Sequence, residues 1–216
     1  MSRSVRKANK ASTSQLSASL VTTLSVNGSI FHCELVAASE LSREDRDTVW
    51  RLLEGNMRDL ALTSSLGWNE SAKQDETFHA LSRFILVRKI NDENEGIGSR
   101  DSRNPLVAFT MFRFEHEYKE DIIYCYEMQV CETERRHGLG RHLVHQLASM
   151  GKTWRMEKII LTVLKANPDA RQFYAKMGFE LDPTSPGYKD PEEDGSADED
   201  EVAEDCDYEI LSMMLR

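Results

Sequence analysis

The chain has 216 residues, 40% of them hydrophobic, enough for one domain of moderate size with a buried core. Its formal net charge is −10, but residues 190–205 (DPEEDGSADEDEVAED) hold ten acids and no Lys or Arg, so the rest is balanced and the acidity is local. No run of about eighteen apolar residues occurs and no signal-peptide pattern opens the chain, which argues against membrane insertion and secretion; an intracellular protein is expected.

Residues 1–28 are rich in Ser, Thr, Lys and Ala with weak periodicity, and predict a flexible arm ahead of a folded domain over 29–216. The opening MSRSVRKANK carries Arg3, Arg6, Lys7 and Lys10 with no acid; a nuclear address, a nucleic-acid contact and a plain disordered tail all fit. SIFHCELVAA reads as the first strand. Ser42 with Asp45 starts a helix to about Leu62, with Val49, Leu52, Leu53, Met57 and Leu60 on one face. RFILVRKI (83–90) and PLVAFTMFRFE (105–115) predict an antiparallel hairpin with a long polar connection, followed by a strand DIIYCYEMQV. A helix from about Gly138 to Gly151, the strand KIILTVLK, a helix opened by Pro168 and stopped by Gly178, and the strands GFEL and YEILSMMLR complete the chain. The pattern is α/β with a mixed sheet. Cys33, Cys125, Cys131 and Cys206 lack zinc-ligand spacing, so reduced, mostly buried thiols and no metal site are expected.

Between a strand and a helix stands Arg135-Arg136-His137-Gly138-Leu139-Gly140-Arg141. The first N–H groups of a helix have no intrahelical partner and the dipole there is positive. Glycines at 138 and 140 let the backbone approach a ligand, Arg136, His137 and Arg141 add charge, and phosphate suits such a terminus. The stretch is neither a Walker A loop nor GxGxxG, and an ordinary helix cap would also account for two glycines.

The spacing R/Q-x-x-G-x-G/A, met by Arg135, Gly138 and Gly140, resembles the pyrophosphate loop of the GNAT superfamily of N-acetyltransferases. LTVLKANPDARQFYAKMGFE (161–180) resembles that superfamily's second cofactor segment. The resemblance implies a mixed, mostly antiparallel central sheet flanked by helices, acetyl-CoA as cosubstrate, Asn167 as a cofactor partner and Tyr174 near the thioester sulfur. LGWNE (66–70), YCYEMQV (124–130) and TSP with DYEILS (184–186, 207–212) in this order further resemble the histone-specific amino-terminal acetyltransferases, NatD, over residues 45–212.

That resemblance implies acetyl transfer to the α-amine of histone four and histone two-A tails beginning Ser-Gly-Arg-Gly, in cytoplasm and nucleus, by a monomer, with ribosome contact during synthesis left open. No membrane or direct nucleic-acid partner is implied. Glu127 would be general base, with Glu115, Tyr124, Tyr126, Thr162, Thr184 and Tyr208 around the substrate. Met128, Gln129 and Val130 would hold the pantetheine through main chain, and Arg135, Arg136, His137, Gly138, Leu139, Gly140 and Arg141 the pyrophosphate.

The residue types suit the reaction. An α-amine with a pKa of about 7.7 to 8.0 must lose a proton before it attacks. Glu127 can accept that proton directly or through water, best with its pKa raised by partial burial among Tyr124, Tyr126 and Met128. Backbone N–H groups of the strand and the Tyr174 hydroxyl would serve the oxyanion and the leaving thiolate. Strict strand alternation, however, separates Tyr124, Tyr126 and Met128 from Cys125, Glu127 and Gln129. For Tyr126 and Glu127 both to reach one site, a bulge is required between residues 126 and 130.

Plainer readings stand beside these. Glu127 fits a solvated face residue or half of an ion pair, Tyr124 and Tyr126 ordinary strand core, Tyr174 helix packing, and Glu115 a surface ion pair. The acidic segment fits either a steering surface for basic tails or a solubilising loop. Leu66 stands where the family has an aromatic and Ala61 where it has a Tyr, which removes two substrate contacts. A lysine or small-amine acetyltransferase of the same fold, or a non-catalytic histone-tail module, are the alternatives.

Overall fold

The structure is a computed structural model and describes residues 1–91, 104–189 and 206–215. The acidic segment and most of the polar connection after Ile90 lie outside the described residues. Eight strands form one sheet: β1 (Thr23–Val26), β2 (Ser29–Ala37), β3 (Arg83–Ile90), β4 (Leu106–Glu117), β5 (Glu120–Val130), β6 (Lys158–Leu164), β7 (Glu180–Leu181) and β8 (Tyr208–Met214). Their order is β1-β2-β3-β4-β5-β6-β8-β7. Each neighbouring pair is antiparallel except β5 and β6, which run parallel.

Among the described residues six α-helices cover the two faces: α1 (Arg3–Lys10), α2 (Thr13–Ser17), α3 (Arg43–Leu62), α4 (Glu70–Thr77), α5 (Leu139–Trp154) and α6 (Pro168–Lys176). Alternation along β3 shows the division. Ile85 and Val87 join Leu143, Leu147 and Met150 of α5 in one core, whereas Phe84 and Leu86 join Val49 and Leu53 of α3 in another. A strand buried on both faces reads as an unbroken apolar run, as RFILV does. None of the described helices is long and apolar enough to cross a membrane.

The first 28 residues depart from the expected flexible arm. They form α1, α2 and β1, with Val5, Ala8 and Leu16 fully buried in the α5-side core. Ser2 caps α1 by accepting from the Val5 N–H, and Ser12 with Gln15 makes a complete capping box for α2. Arg3, Arg6, Lys7 and Lys10 occupy the outer face of α1, so the composition reflects that face and conceals the two apolar residues one turn apart beneath it. The second departure is α4, begun by Asn69, whose side chain accepts from the Ala72 N–H at 3.0 Å. Cys33 and Cys125 are buried, and Cys131 and Cys206 partly so; all four are free thiols.

Candidate active site

The site is built where β5 leaves β6. The two strands pair only from Ile122–Tyr124 to Lys158–Ile160, although β5 continues to Val130 and β6 to Leu164. The divergence begins at an irregularity in β5. Cys125 pairs with Phe112 and Glu127 with Met111, so Tyr126 is an extra residue in the ladder. A bulge of this kind bends its strand and breaks the alternation of faces. Ile123 and Cys125 lie in the α5-side core, where Met128 and Val130 also pack, three residues on from Cys125. Tyr126 packs with the α3-side core, which includes Met111, the partner of Glu127. The bulge thus sits at Tyr126, at the edge of the expected interval, with regular pairing from Glu127 to Val130, and places Tyr126 and Glu127 on one face.

Four side chains from β4, β5 and β6 converge there. The Tyr124 and Tyr126 rings lie 4.5 Å apart, the Tyr124 and Thr162 hydroxyls 2.8 Å apart, and the Tyr126 hydroxyl donates to Glu115 at 2.8 Å. Burial, the hydrogen bond to Glu115 and that carboxylate's charge raise the Tyr126 phenol well above its usual range, so it stays protonated. Glu117, two residues beyond Glu115, is also raised, by burial and by its neighbour's carboxylate.

Glu127 is 6% exposed and has both carboxylate oxygens engaged. Lys73 Nζ lies 2.7 Å from Oε1, and Gln129 Nε2 donates to Oε2 at 2.8 Å. The environment expected from sequence, apolar burial with Met128 beside it, is therefore replaced. Met128 faces the other core, and a cation from the unforeseen α4 stands against the carboxylate. Lys73 also meets Glu76 at 2.5 Å; burial alone would lower its pKa, but the two carboxylates raise it. From Gln129 the hydrogen bonds continue through Asn56 of α3 to Arg135, whose Nη2 donates to Asn56 Oδ1 at 2.7 Å.

Tyr174, on α6, packs from the opposite face against Phe173 and Phe179 and feels the charge of Glu127. Burial first, then Cys125 and Glu127, lift its phenol well above the ordinary value, so it is a proton donor and not an anion.

At the mouth of the opening, α5 begins at Gly138, with φ +81° and no capping side chain, whereas the other described α-helices are each capped by Ser2, Ser12, Ser42, Asn69 or Asn167. Arg136 also has a positive φ of 65°. Arg136 and Arg141 are exposed beside the uncapped amides, and Leu139 is buried as the anchor of the turn. A Cβ on Gly140 would stand 3.1 Å from the Phe173 ring, so glycine there allows α5 and α6 to close on each other. Two charges of this stretch point elsewhere. Arg135 is held by Asn56 and the Val130 carbonyl, and His137 lies 3.3 Å from buried Glu134, which Lys89 also binds. Asn167 caps α6 through Oδ1, leaving amide donors as its means of meeting a ligand.

Thr184 is turned away from the opening: its N–H and hydroxyl both donate to buried Asp182, which is paired with Lys158. Tyr208 opens β8 opposite Leu164. Next to it, Asp207 accepts from the N–H and hydroxyl of Ser65 at 2.5 and 2.6 Å, tying the loop after α3 to the C-terminal half of the sheet. Sequence reasoning missed Lys73, Glu76, Asn56 and Ser65. Asn69 before a polar octapeptide was the available signal for α4.

A family model described as acetyltransferase (GNAT) family matches residues 54–179, more than half of the chain. The chain belongs to the acetyltransferase (GNAT) family. A curated relative, N-alpha-acetyltransferase 40 of Saccharomyces cerevisiae (strain ATCC 204508 / S288c), is 32% identical over 83 residues, which cover 35% of this chain and 29% of the relative. The match therefore spans less than a third of that relative's length. A GNAT-family acetyltransferase from Staphylococcus aureus Mu50 has the same fold at 14% identity and TM-score 0.55, over 85% of this chain and 99% of the other. Arabidopsis thaliana Naa50, solved with the bisubstrate analogue CoA-Ac-MVNAL, aligns at 18% identity and TM-score 0.50, over 84% and 97%.

GNAT acetyltransferases use acetyl-CoA, and the residues present fit it. The uncapped α5 terminus, flanked by Arg136 and Arg141, suits a pyrophosphate. The unpaired β5 edge beyond Tyr124 gives an extended amide chain a strand to lie along.

Proposed function

We propose that this protein is an N-alpha-acetyltransferase that moves the acetyl group of acetyl-CoA to the free α-amine of protein tails beginning Ser-Gly-Arg-Gly, the tails of histone four and histone two-A. The observation that carries the reading is the Tyr126 bulge, which puts Glu127 on the face of Tyr124 and Tyr126, in the part of β5 that no longer pairs with β6.

In this reading Glu127 takes a proton from the substrate ammonium, through water given its burial, and the freed amine attacks the thioester carbonyl. Tyr174, held protonated, gives its proton to the departing sulfur, so the enzyme forms no covalent bond with the acetyl group. Arg136, Arg141 and the amides of Gly138 to Arg141 hold the pyrophosphate, while main chain of Met128 to Val130 holds the pantetheine. Glu115 and Tyr126, with Tyr124 and Thr162, line the peptide's path, and a carboxylate beside a phenol suits the guanidinium of a substrate arginine. Tyr208, at the start of β8, flanks that path, whereas Thr184 is turned to Asp182 and does not. Action in cytoplasm and nucleus on histone tails belongs to the same proposal.

Mass spectrometry after incubation with acetyl-CoA tests it on two peptides. One begins with free Ser-Gly-Arg-Gly; the other has its amine blocked and its lysines intact. Acetyl on the first peptide's α-amine alone is the expected result. Acetyl on the lysines of the blocked peptide would replace the substrate class and leave fold and cosubstrate standing.

A further inference from the structure

We propose that Lys73 is a positioning residue for the transfer, fixing the Glu127 carboxylate in place at the part of β5 that no longer pairs with β6. The inference rests on the reading of Glu127 as base. It goes beyond that reading by assigning a role to a residue on α4, outside the resemblance motifs and the cofactor stretch.

Three features of the geometry support it. First, Glu127 is almost fully buried, and a buried carboxylate resists ionisation unless a cation is near; Lys73 Nζ lies 2.7 Å from Oε1. Second, Lys73 is itself secured by Glu76 at 2.5 Å, on the next turn of the same short helix, and the pair keeps it firmly charged. Third, the opposite oxygen of Glu127 is fixed by Gln129, which is held in turn by Asn56, so the carboxylate is oriented from two sides. A carboxylate accepts about four hydrogen bonds, and these two leave lone pairs for a water or the amine. The other titratable groups around it are Cys125 and Tyr126 on β5 and Tyr174 on α6. Arg113 and Glu115 of β4 engage Tyr126. Lys73 is the cation that touches Glu127 directly.

A positioning cation must do more than stabilise the fold. Without it the proton equilibrium of Glu127 shifts, and the lower pH limit of turnover shifts with it. Two readouts follow this: kcat against pH with both substrates saturating, and the carbon-13 resonance of the Glu127 carboxyl against pH in the free protein, assigned by its loss in Glu127→Gln. Lys73→Gln is expected to move the acidic limb of kcat and the carboxyl titration together to higher pH. It is also expected to lower kcat about tenfold at neutral pH, leaving the KM for acetyl-CoA unchanged. Lys73→Arg, which keeps the cation, should restore both. Glu76→Gln removes a competing negative charge at a more exposed position and should move both in the opposite direction. It carries the test if Lys73→Gln does not fold.

Superimposable titrations and kcat profiles in Lys73→Gln or Glu76→Gln and the wild type would overturn the proposal. So would a faster Lys73→Gln enzyme with a lower peptide KM, the mark of a lysine that merely blocks the amine's place. Failure of the underlying reading looks different: Glu127→Gln would turn over normally while Lys73→Gln still shifted the carboxyl titration.

Discussion

Strand β6 has two neighbours and treats them oppositely. Toward β8 it pairs along its whole length, Lys158 to Leu164, and the base of that seam is closed by buried Asp182 on Lys158. Toward β5 it pairs over three residues and then lets go. Both neighbours are largely apolar strands, and β5 is the longer at 11 residues against 7, so neither hydrophobic pattern nor length explains why it pairs less. One additional residue in β5, Tyr126, does. Sealing is what an uninterrupted ladder produces, and a reaction space needs the ladder to fail at a chosen place.

The comparison can be broken most severely at the mouth of the open seam. Gly138→Asp puts a carboxylate where the uncapped α5 amides wait, at a backbone angle that Asp tolerates better than most residues. Titration calorimetry should show acetyl-CoA affinity falling roughly 100-fold by charge repulsion, with thermal stability held or raised.

The sealed seam should fail by acid. Burial alone would raise the Asp182 carboxyl, but Lys158, Thr184 and Ser212 hold it at about 2, below its ordinary 3.8. The stability it adds is therefore complete above the ordinary value and is lost as pH falls toward 2. It amounts to roughly 2 kcal/mol at neutral pH. Urea unfolding across that range should show the loss in the wild type, and the slope should be shallower in Asp182→Asn.

Two smaller changes sharpen the contrast. Gly140→Val drives a side chain into Phe173 and should raise the acetyl-CoA KM about tenfold without altering the peptide KM. Asn167→Ala removes the α6 cap and should cost about 1 kcal/mol in denaturant stability. Its acetyl-CoA KM should move less than that of Gly140→Val.

The parts legible in the sequence are those with a local signature. The apolar run of β3, the Ser42 cap, the two glycines before α5 and the Pro168 start each reflect a constraint within a few residues. The bulge had no local signature: it was expected because the resemblance put Tyr126 and Glu127 at one site, which strict alternation forbids. What was hidden depends on contacts distant in sequence. Lys73 lies on a polar octapeptide whose helix is defined by one Asn cap and by what it meets 54 residues later at Glu127. The first residues of α1 read as a charged tail because Val5 and Ala8 become core only against a sheet that composition does not reveal.

That last point bears on the order in which the chain is made. Ser2 donates to Asp121, and Asn9 donates to the carbonyl of Phe114, so the opening helix rests on the β4–β5 hairpin. This helix thus has no permanent seat until the β4–β5 hairpin, about a hundred residues further along the chain, has followed it. Residues made early must wait to settle, and one of the strands they settle against carries the site.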